Sequence, residues 1–273
     1  MKKDFILNTK LTENQAAIFY LGQEGILLKY HEQYLLIDPY LSDYVDRHCS
    51  TETLKWIRRY PAPIDPKELD FIDYVLCTHD HYDHCDPYTL QAIARAGAHT
   101  VFLAPKPITS VLCSYGIPED RIQGVTADTR IELGEFGLLP IPAAHEELHK
   151  DENGDYKELG YKVFLDRLSL YHAGDCCIYD GLAKRLMGID VLMAPVNGRG
   201  YYKLREDIIG NMTVEEAILL ARETHAGLLI PMHYDLYQVN CINPAFFVDS
   251  LFSINPSQPF HMFTPGERYI LSW

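Results

Sequence analysis

The segment that most constrains this chain is a cluster of histidines and aspartates at residues 78–84. Its sequence is Thr-His-Asp-His-Tyr-Asp-His, so three histidines and two aspartates fall within six consecutive positions. The apolar run 72–77 before it predicts a buried strand, and Asp86 and Pro87 after it predict a helix start. A strand-to-helix loop can turn such closely spaced imidazoles toward one point, which neither a strand nor a helix can do. The segment therefore predicts a metal site, and the alternative is a polar loop that is rich in histidine by chance.

Composition and charge exclude several classes of protein. Of the 273 residues, 47% are hydrophobic and 23% are charged, which is ordinary for a chain with a sizeable core. The formal net charge is −14 and no basic run exceeds two residues, which argues against a nucleic-acid binder. No window approaches the roughly 20 apolar residues of a membrane span, and the N-terminal residues contain no apolar stretch of signal-peptide length. We therefore expect no membrane association and a cytoplasmic location. The seven cysteines are scattered and predict buried thiols, not disulfides.

Strands and helices are predicted in two comparable halves with no linker between them. The predicted strands lie at 16–21, 25–30, 33–38, 72–77, 100–103, 121–125, 129–133, 138–141, 161–165, 168–171, 189–194, 228–231, 260–263 and 269–271. The predicted helices lie at 51–59, 87–96, 107–115, 179–187, 244–251 and after the capping box that begins at Thr213. The polar loop 146–158 is predicted to be either a flexible flap or a hairpin connection. We predict an α/β fold with two packed sheets and outer helices, as one domain over 1–273.

Residue types that bind metals recur directly after the predicted strands. The positions are Asp38, His79, His145, Asp175 and His233. Because the carboxyl ends of strands in a layered α/β sheet gather at one edge, these side chains are expected to meet there. Any one of them has a structural alternative, but five such coincidences favour a common site.

These motifs, in their order along the chain, resemble the metal-ligand set of the metallo-β-lactamase superfamily. They are His79-x-His81-x-Asp83-His84, then His145, then Asp175 in His-Ala-Gly-Asp, and then His233 in Pro-Met-His-Tyr-Asp. More narrowly, the segments 20–29, 78–84, 171–175 and 230–235 are similar to the L-ascorbate-6-phosphate lactonase group. The resemblance covers nearly the whole chain and implies a four-layer αβ/βα sandwich made of two similar halves.

The resemblance also implies two divalent metal ions, zinc or manganese, with one set of ligands each. It assigns one ion to His79, His81 and His145, the other to Asp83, His84 and His233, and the bridging position to Asp175. A hydroxide shared by the two ions would be the nucleophile, and Asp83 would orient it or move its proton. We expect Asp38, Asp80 and His172 to hold ligand imidazoles by their free N–H groups, and we count His172 with Asp83 among the catalytic candidates.

Substrate-binding residues are predicted in two loops that follow strand ends. Asn197 and Arg199 lie in a glycine-flanked segment, and the planar guanidinium of Arg199 suits a phosphate or a carboxylate. Tyr234 follows His233 and would line the mouth of the site. The alternative for each is an ordinary surface-loop residue. These residues lead us to expect a small anionic substrate, whereas the roles of 146–158 and 197–205 stay open.

The leading functional hypothesis is a metal-dependent hydrolase, specifically a lactonase acting on a sugar-acid lactone with or without a phosphate. A phosphodiesterase is the first alternative, because the same hydroxide can attack phosphorus. A di-iron oxidoreductase is disfavoured, since the resemblance places Glu in that branch where this chain has His81. A non-catalytic binding module would require degraded ligands. A homo-oligomer is left open, and the core is preferred to a subunit interface for Phe246, Phe247, Phe252 and Trp273.

Overall fold

The computed structural model describes residues 1–273 and contains thirteen strands. They are β1 (Gln15–Gly22), β2 (Gly25–Tyr30), β3 (Gln33–Ile37), β4 (Tyr74–Leu76), β5 (Val101–Pro105), β6 (Ile122–Val125), β7 (Ile131–Leu133), β8 (Phe136–Pro142), β9 (Leu159–Leu165), β10 (Leu168–His172), β11 (Val191–Pro195), β12 (Leu228–Met232) and β13 (Arg268–Ser272). They form a seven-stranded sheet of order β13-β1-β2-β3-β4-β5-β6 and a six-stranded sheet of order β12-β11-β10-β9-β8-β7.

Each sheet has an antiparallel part and a parallel part. In the first sheet, β13, β1, β2 and β3 pair antiparallel, and β3 to β6 pair parallel. In the second sheet, β7 to β10 pair antiparallel, and β10 to β12 pair parallel. Parallel neighbours bring their carboxyl ends to the same edge, which positions the loops that follow them.

Eight α-helices accompany the strands. They are α1 (Lys3–Leu7), α2 (Tyr44–His48), α3 (Pro87–Ala96), α4 (Thr109–Ser114), α5 (Leu182–Arg185), α6 (Tyr201–Arg205), α7 (Val214–Thr224) and α8 (Pro244–Ile254). Leu90 of α3 packs in one buried cluster with Phe102 of the first sheet, and Ile218 of α7 packs in another with Leu192 of the second sheet. The layers are therefore helix, sheet, sheet and helix, and the predicted four-layer α/β sandwich is confirmed.

A third buried cluster fills the space between the two sheets, and the alternation of side chains along each strand builds it. In β2, Ile26 and Leu28 face the other sheet, whereas Leu27 between them faces the outer helices. Successive side chains of a strand point to opposite faces, and both faces of this strand are covered. Full burial of such a side chain stabilises the fold by about 1.5–3 kcal/mol, so both faces contribute.

The segment 51–59 is not a helix, so the prediction of a helix there was wrong. Its backbone N–H groups donate to side chains instead. The backbone N–H of Trp56 donates to Ser50 Oγ at 3.0 Å, and that of Arg58 donates to Asp46 Oδ1 at 2.9 Å. These bonds use donors that a helix would need for its own ladder. Arg58 also forms an isolated bridge with Tyr237, so tertiary contacts decide the path of this segment.

Smaller differences occur near the chain's second half. The predicted strand 260–263 contains a single bridge, between Phe260 and Leu229, and the predicted helix 179–187 shortens to α5. The loop 146–158 contains a bridge between Lys150 and Tyr156 that fits a hairpin connection. The preference for the core at Phe246, Phe247 and Phe252 can be compared with their exposure. Phe247 is buried, but Phe246 and Phe252 are about half exposed because they lie on the outer face of α8.

All seven cysteines are free thiols, but the prediction that they are buried holds for only four, since Cys49 and Cys241 are partly exposed and Cys113 is exposed. None of the helices is long and apolar enough to cross a membrane.

Candidate metal centre

The predicted metal ligands lie in four loops, and each loop directly follows a strand. His79, His81, Asp83 and His84 occupy the loop from β4 to α3; His145 follows β8, Asp175 follows β10 and His233 follows β12. The first sheet thus supplies four of the seven candidate ligands, and the second sheet supplies the other three. The two halves meet at the edge where the strand ends converge, which is the arrangement that the spacing predicted.

The ligand atoms form two clusters. We call His79, His81 and His145 the first ligand group; one ligand atom of each lies within 4.8 Å of the others and of an Asp175 carboxylate oxygen. We call Asp83, His84 and His233 the second ligand group, whose ligand atoms also lie within 4.8 Å of one another. The structure therefore brings together the seven side chains that were predicted to hold metal.

Asp175 lies between the two groups, with one carboxylate oxygen toward each. Its Oδ2 is 3.7 Å from His145 Nε2 and 4.0 Å from His79 Nε2. Its Oδ1 is 3.4 Å from His84 Nε2 and 3.5 Å from His233 Nε2. A carboxylate placed in this way can serve two cations at once.

Backbone constraints fix the loops that carry these residues. Asp38 and His233 adopt left-handed φ values of 47° and 57°, which cost free energy in residues other than glycine and cluster at functional sites. Gly174, before Asp175, has a φ of 58°, and a Cβ there would lie 2.7 Å from the Thr78 Cβ. Only glycine therefore lets the Asp175 turn approach the loop after β4 this closely.

A buried network of hydrogen bonds lies behind the histidine loop. Asp38 accepts from the Thr78 backbone N–H at 2.8 Å and from the Thr78 hydroxyl at 2.6 Å. His84 Nδ1 lies 2.7 Å from the same carboxylate and donates to it, which leaves His84 Nε2 directed at the second ligand group. His79 Nδ1 is 3.0 Å from Thr78 Oγ1. Asp38 therefore holds the imidazole of His84, one of the candidate ligands.

The turn between β1 and β2 also reaches into the centre. Gln23 is buried, has a left-handed φ of 61°, and donates from Nε2 to Asp83 Oδ2 at 2.8 Å. The same nitrogen is 3.0 Å from His233 Nε2, and the Gln23 carbonyl accepts the His233 backbone N–H at 3.0 Å. Asp235 holds the turn by accepting the Gln23 backbone N–H at 3.2 Å. Gln23 thus positions two members of the second ligand group.

Glu24 and His172 form a buried pair behind the centre. His172 Nε2 is 2.7 Å from the Glu24 carbonyl oxygen and 3.4 Å from Glu24 Oε2. Burial lowers the pKa of His172 and, with the negative charge of Asp175, raises the pKa of Glu24 well above its usual range. His172 accepts the Gly174 backbone N–H and has no contact with a ligand imidazole. This pair fixes the turn that carries Asp175.

The electrostatics of the two ligand groups differ. In the first group, burial lowers the pKa of His79 and lowers that of His145 to about 4. In the second group, burial opposes the charged form of His84, but the carboxylates of Asp175, Asp83 and Asp38 outweigh it and raise the His84 pKa well above its usual value. Without metal, the second group therefore carries an imidazolium, whereas the imidazoles of His79 and His145 are neutral at pH 7.

The residues present fit divalent metal ions. His79 Nε2, His84 Nε2 and Asp175 Oδ1 are buried and have no hydrogen-bond partner, and a buried polar atom without a partner costs free energy. All three atoms point into the space between the ligand groups. Imidazole nitrogens together with carboxylate oxygens suit Zn²⁺ and Mn²⁺. Coordination would satisfy each of these atoms at once.

A cavity of about 370 Å³ opens above the centre. His81, Asp83, Asp175 and His233 line its floor. The walls come from two mostly irregular segments. Val45 at the start of α2, Cys49, Thr51, Leu54 and Trp56 belong to the first, and Glu206, Asp207, Ile208 and Ile209 belong to the second; Tyr82 and Asn240 complete the lining. None of these lining residues is Lys or Arg.

The remaining predicted site residues lie away from this cavity or behind its wall. Arg199 forms a bidentate ion pair with Glu216 at 2.6 Å for each bond, and Tyr234 is buried and donates to the Phe263 carbonyl. Asn197 is buried and donates to Asn240 Oδ1 at 2.9 Å, so it supports a lining residue. Asp80 is exposed and makes no side-chain hydrogen bond. The structure does not bring Arg199, Tyr234 or Asp80 to the ligand groups.

Sequence reasoning missed Gln23, Glu24 and the cavity walls. A signal for the first two was present, because β1 and β3 run in the same direction, which places the turn after β1 at the same edge as Asp38. Two polar residues at the tip of an apolar hairpin could therefore have been assigned to the centre. The walls carry no comparable signal, since they lie in irregular segments.

A family model described as the beta-lactamase superfamily domain matches residues 33–234. The uncharacterised Mycobacterium tuberculosis protein Rv0906 is 25% identical over 237 residues, covering 83% of this chain and 60% of that protein. The Escherichia coli protein named probable L-ascorbate-6-phosphate lactonase UlaG is 26% identical over 196 residues, covering 66% of this chain and 54% of that protein. The match therefore spans less than two thirds of the length of either relative.

Solved structures share the fold over most of this chain. A possible metal-dependent hydrolase from Veillonella parvula superposes with a TM-score of 0.75 at 16% identity, covering 93% of this chain and 99% of that one. The di-iron β-hydroxylase CmlA from Streptomyces venezuelae superposes with a TM-score of 0.68 at 14% identity, covering 97% of this chain and 55% of that one. At these identities the likeness concerns the fold alone.

Proposed function

This chain belongs to the metallo-β-lactamase superfamily, and on that premise we propose that it is a metal-dependent hydrolase that opens lactones. The observation that carries the proposal is the position of Asp175, whose two oxygens face two separate groups of imidazoles. Divalent ions held there by the two ligand groups would polarise a carbonyl oxygen and lower the pKa of water toward about 7. A non-catalytic role would not require so many unpartnered ligand atoms in one buried place.

The side chains of this protein have separate tasks in that reaction. Burial opposes ionisation of Asp83, but His84 and His233 outweigh it and lower the Asp83 pKa, so this cavity-lining carboxylate is charged at neutral pH. It can orient an attacking water and accept its proton. Asp38 holds the His84 ring in place, and the Glu24–His172 pair fixes the Asp175 turn. We propose positioning roles for these three residues, and not direct contact with substrate.

The lactone preference is supported by the similarity to the protein named probable L-ascorbate-6-phosphate lactonase. A lactone presents one ester carbonyl, which could approach the Asp175 carboxylate between the two ligand groups at the cavity floor. A sugar-acid ring, with or without a phosphate, is the finer substrate that this similarity favours, whereas the cavity lining contains no Lys or Arg that would bind the phosphate.

Activity on a substrate panel tests the proposal. The protein is loaded with Zn²⁺ or Mn²⁺, and kcat/KM is measured on neutral and phosphorylated lactones and on bis(p-nitrophenyl) phosphate. We expect lactones to have the higher kcat/KM, and His81→Ala to abolish turnover while the circular dichroism spectrum is unchanged. Useful turnover of the phosphodiester alone would reject the lactonase and favour a phosphodiesterase.

A redox role has one observation in its favour, the shared fold with the di-iron β-hydroxylase CmlA. Metal analysis separates it from hydrolysis. Hydrolysis requires no redox-active ion, so activity with Zn²⁺ alone supports the hydrolase. Activity that appears only with two irons and dioxygen would support the oxidoreductase.

A further inference from the structure

The cavity above the metal centre indicates the chemical class of the group that the substrate carries beside its reacting bond. Resting on the proposed lactonase activity, we propose that this group is uncharged and apolar, such as an alkyl or aryl substituent, and is not a phosphate or a carboxylate. The inference concerns residues outside the ligand groups, so it is independent of which metal is bound.

Apolar side chains from two segments line the cavity. Val45, Leu54 and Trp56 line one wall, and Ile208 and Ile209 line the other. Ile209 is 38% exposed and Leu54 and Trp56 are partly exposed, so these side chains have apolar area left to bury against a ligand. Transfer of apolar area from water is the main attraction that such walls offer. The volume of about 370 Å³ lies at the small end of the usual range of ligand sites, about 300–1,000 Å³.

The cations nearest to the cavity are engaged elsewhere. The Lys203 ammonium donates to the Asn197 carbonyl at 2.5 Å, to the Gly198 carbonyl at 3.1 Å and to Asn240 Oδ1 at 2.8 Å. An ammonium has three donors, so none remains for a ligand. Arg199 is held by Glu216, and Arg58 donates to the carbonyl oxygens of Tyr40 and Ser42 but keeps Nη2 without a partner. Neither Arg58 nor the exposed neighbours Lys55 and Arg205 line the cavity, so no guanidinium or ammonium belongs to its lining.

The charges on the outer part of the cavity are negative, because Glu206 and Asp207 lie at its exposed rim. A phosphate on the substrate's outer part would meet these carboxylates and leave water without gaining a cationic partner, and burying an unpaired charge is costly. Only the reacting bond itself would face bound metal. An uncharged substituent avoids both costs.

A homologous series of lactones measures the contribution of the walls. The substrates are γ-hexanolactone, γ-octanolactone and γ-decanolactone, together with a γ-lactone of the last length that ends in a carboxylate, and L-ascorbate 6-phosphate. Burial of one methylene corresponds to about fourfold in kcat/KM, so we expect roughly a fifteenfold rise for each added pair of carbons. The carboxylate-ended lactone should fall at least tenfold below γ-decanolactone. A flat series, or a preference for the phosphorylated lactone, would overturn the inference while leaving the lactonase in place.

A matched pair of variants tests the wall directly. Leu54→Lys places a cation on the wall, and Leu204→Lys places the same charge on α6 at a residue that is exposed and does not line the cavity. We expect Leu54→Lys to lower kcat/KM for γ-decanolactone at least tenfold and to raise it for the carboxylate-ended lactone, with Leu204→Lys close to the parent. Equal effects of the two substitutions would contradict the assignment. If Leu54→Lys does not fold, the substrate series alone decides.

If no lactone is hydrolysed, the proposed function fails, and binding then tests the walls separately. Trp56 lines the cavity, and the second tryptophan, Trp273, packs beside Tyr30 at a distance from it. We expect γ-decanolactone to change the tryptophan fluorescence of the parent protein and not that of Trp56→Phe. A response to L-ascorbate 6-phosphate in place of γ-decanolactone would reject the apolar class.

Discussion

The two ligand groups of the candidate metal centre differ in what lies behind their side chains. In the second group, Asp38 holds His84, and Gln23 contacts both Asp83 and His233. In the first group, only His79 has a side-chain partner outside the group, Thr78. His81 and His145 contact each other at 3.1 Å, and His145 Nδ1 has no partner.

This difference teaches that seven similar ligands need not form two equal sites. Partners behind a ligand fix its orientation, and their loss typically lowers metal affinity about 10–100-fold. The second group is therefore expected to bind its ion more tightly. The first group is expected to exchange its ion more readily, and it includes His81, the most exposed of the candidate ligand histidines.

The largest effect is expected from removing the carboxylate that the groups share. Asp175→Ala should lower kcat/KM by more than about 1,000-fold, because a metal ion contributes several kcal/mol of transition-state stabilisation. Metal content by mass spectrometry should fall below two ions per chain. Asp207→Ala, which removes an exposed carboxylate at the cavity rim, is the control. Two tightly held ions in Asp175→Ala would mean that the groups are independent of this residue.

Loss of the support behind His84 should affect the second group more than the first. We expect Asp38→Asn to weaken binding at the second ligand group about 10–100-fold and at the first group less, because Asp38 contacts His84 directly and reaches His79 only through Thr78. Titration calorimetry with Zn²⁺ would resolve the two affinities. Asp73→Asn is a matched control, since Asp73 accepts the Tyr34 backbone N–H at the start of β4, away from the centre. Equal weakening at both groups would remove the distinction between them.

A chelator should remove the two metal ions at different rates. During dialysis against EDTA at pH 7, the first ion is expected to leave at least about ten times faster than the second, because the first group has fewer supporting contacts. Metal content should therefore pass through a plateau near one ion per chain. Loss of both ions in a single phase would contradict unequal sites.

The pH dependence of metal affinity should also distinguish the two ligand groups. The raised pKa of His84 means that metal must displace a proton from the second group, so affinity there should rise about tenfold per pH unit below that pKa. The first group should show a weaker dependence near neutrality, since the pKa of His145 is about 4. Calorimetry in buffers of different ionisation enthalpy counts the protons, and about one proton is expected for the second group alone.

In the metal-free protein, the pKa shifts of His145 and His84 change the pH dependence of folding stability in opposite directions. The unfolded pKa of a histidine is about 6.5. His145, with its folded pKa lowered, stabilises the fold above that value and loses this contribution as the pH falls toward 4. His84, with its folded pKa raised, contributes stability below 6.5 that is lost as the pH rises through its folded pKa.

The smallest effect is expected at Gln23. Gln23→Leu removes the donor to Asp83 and keeps the side-chain volume. We expect about a tenfold loss of kcat with KM nearly unchanged, since a hydrogen bond to a charged group contributes about 1.5 kcal/mol at the low end of its range. Steady-state kinetics on the preferred lactone would measure it. A loss as large as that of Asp175→Ala would mean that Gln23 is itself a ligand.

The ligand positions and the four layers were predictable, because both depend on short-range patterns. Alternation along strands such as β2 and the position of His145 or Asp175 after an apolar run are local features. The cavity walls were not predictable. The segment 51–59 was predicted to be a helix, yet the side chains of Asp46 and Ser50 accept hydrogen bonds from its backbone N–H groups. Arg199 was predicted to bind substrate, yet it pairs with Glu216 of α7, 17 residues away in the chain. Such choices depend on tertiary partners that no local pattern specifies.

The contiguity of His79, His81, Asp83 and His84 has a consequence for how the protein is made. Four ligands within six positions do not need the fold to come close together, whereas His145, Asp175 and His233 arrive only with the second sheet. A newly synthesised or denatured chain can therefore chelate a cation before it folds. Affinity for the unfolded chain reduces the stabilisation that metal gives to the native state. Refolding first and supplying metal afterwards should then give a higher yield than the reverse order.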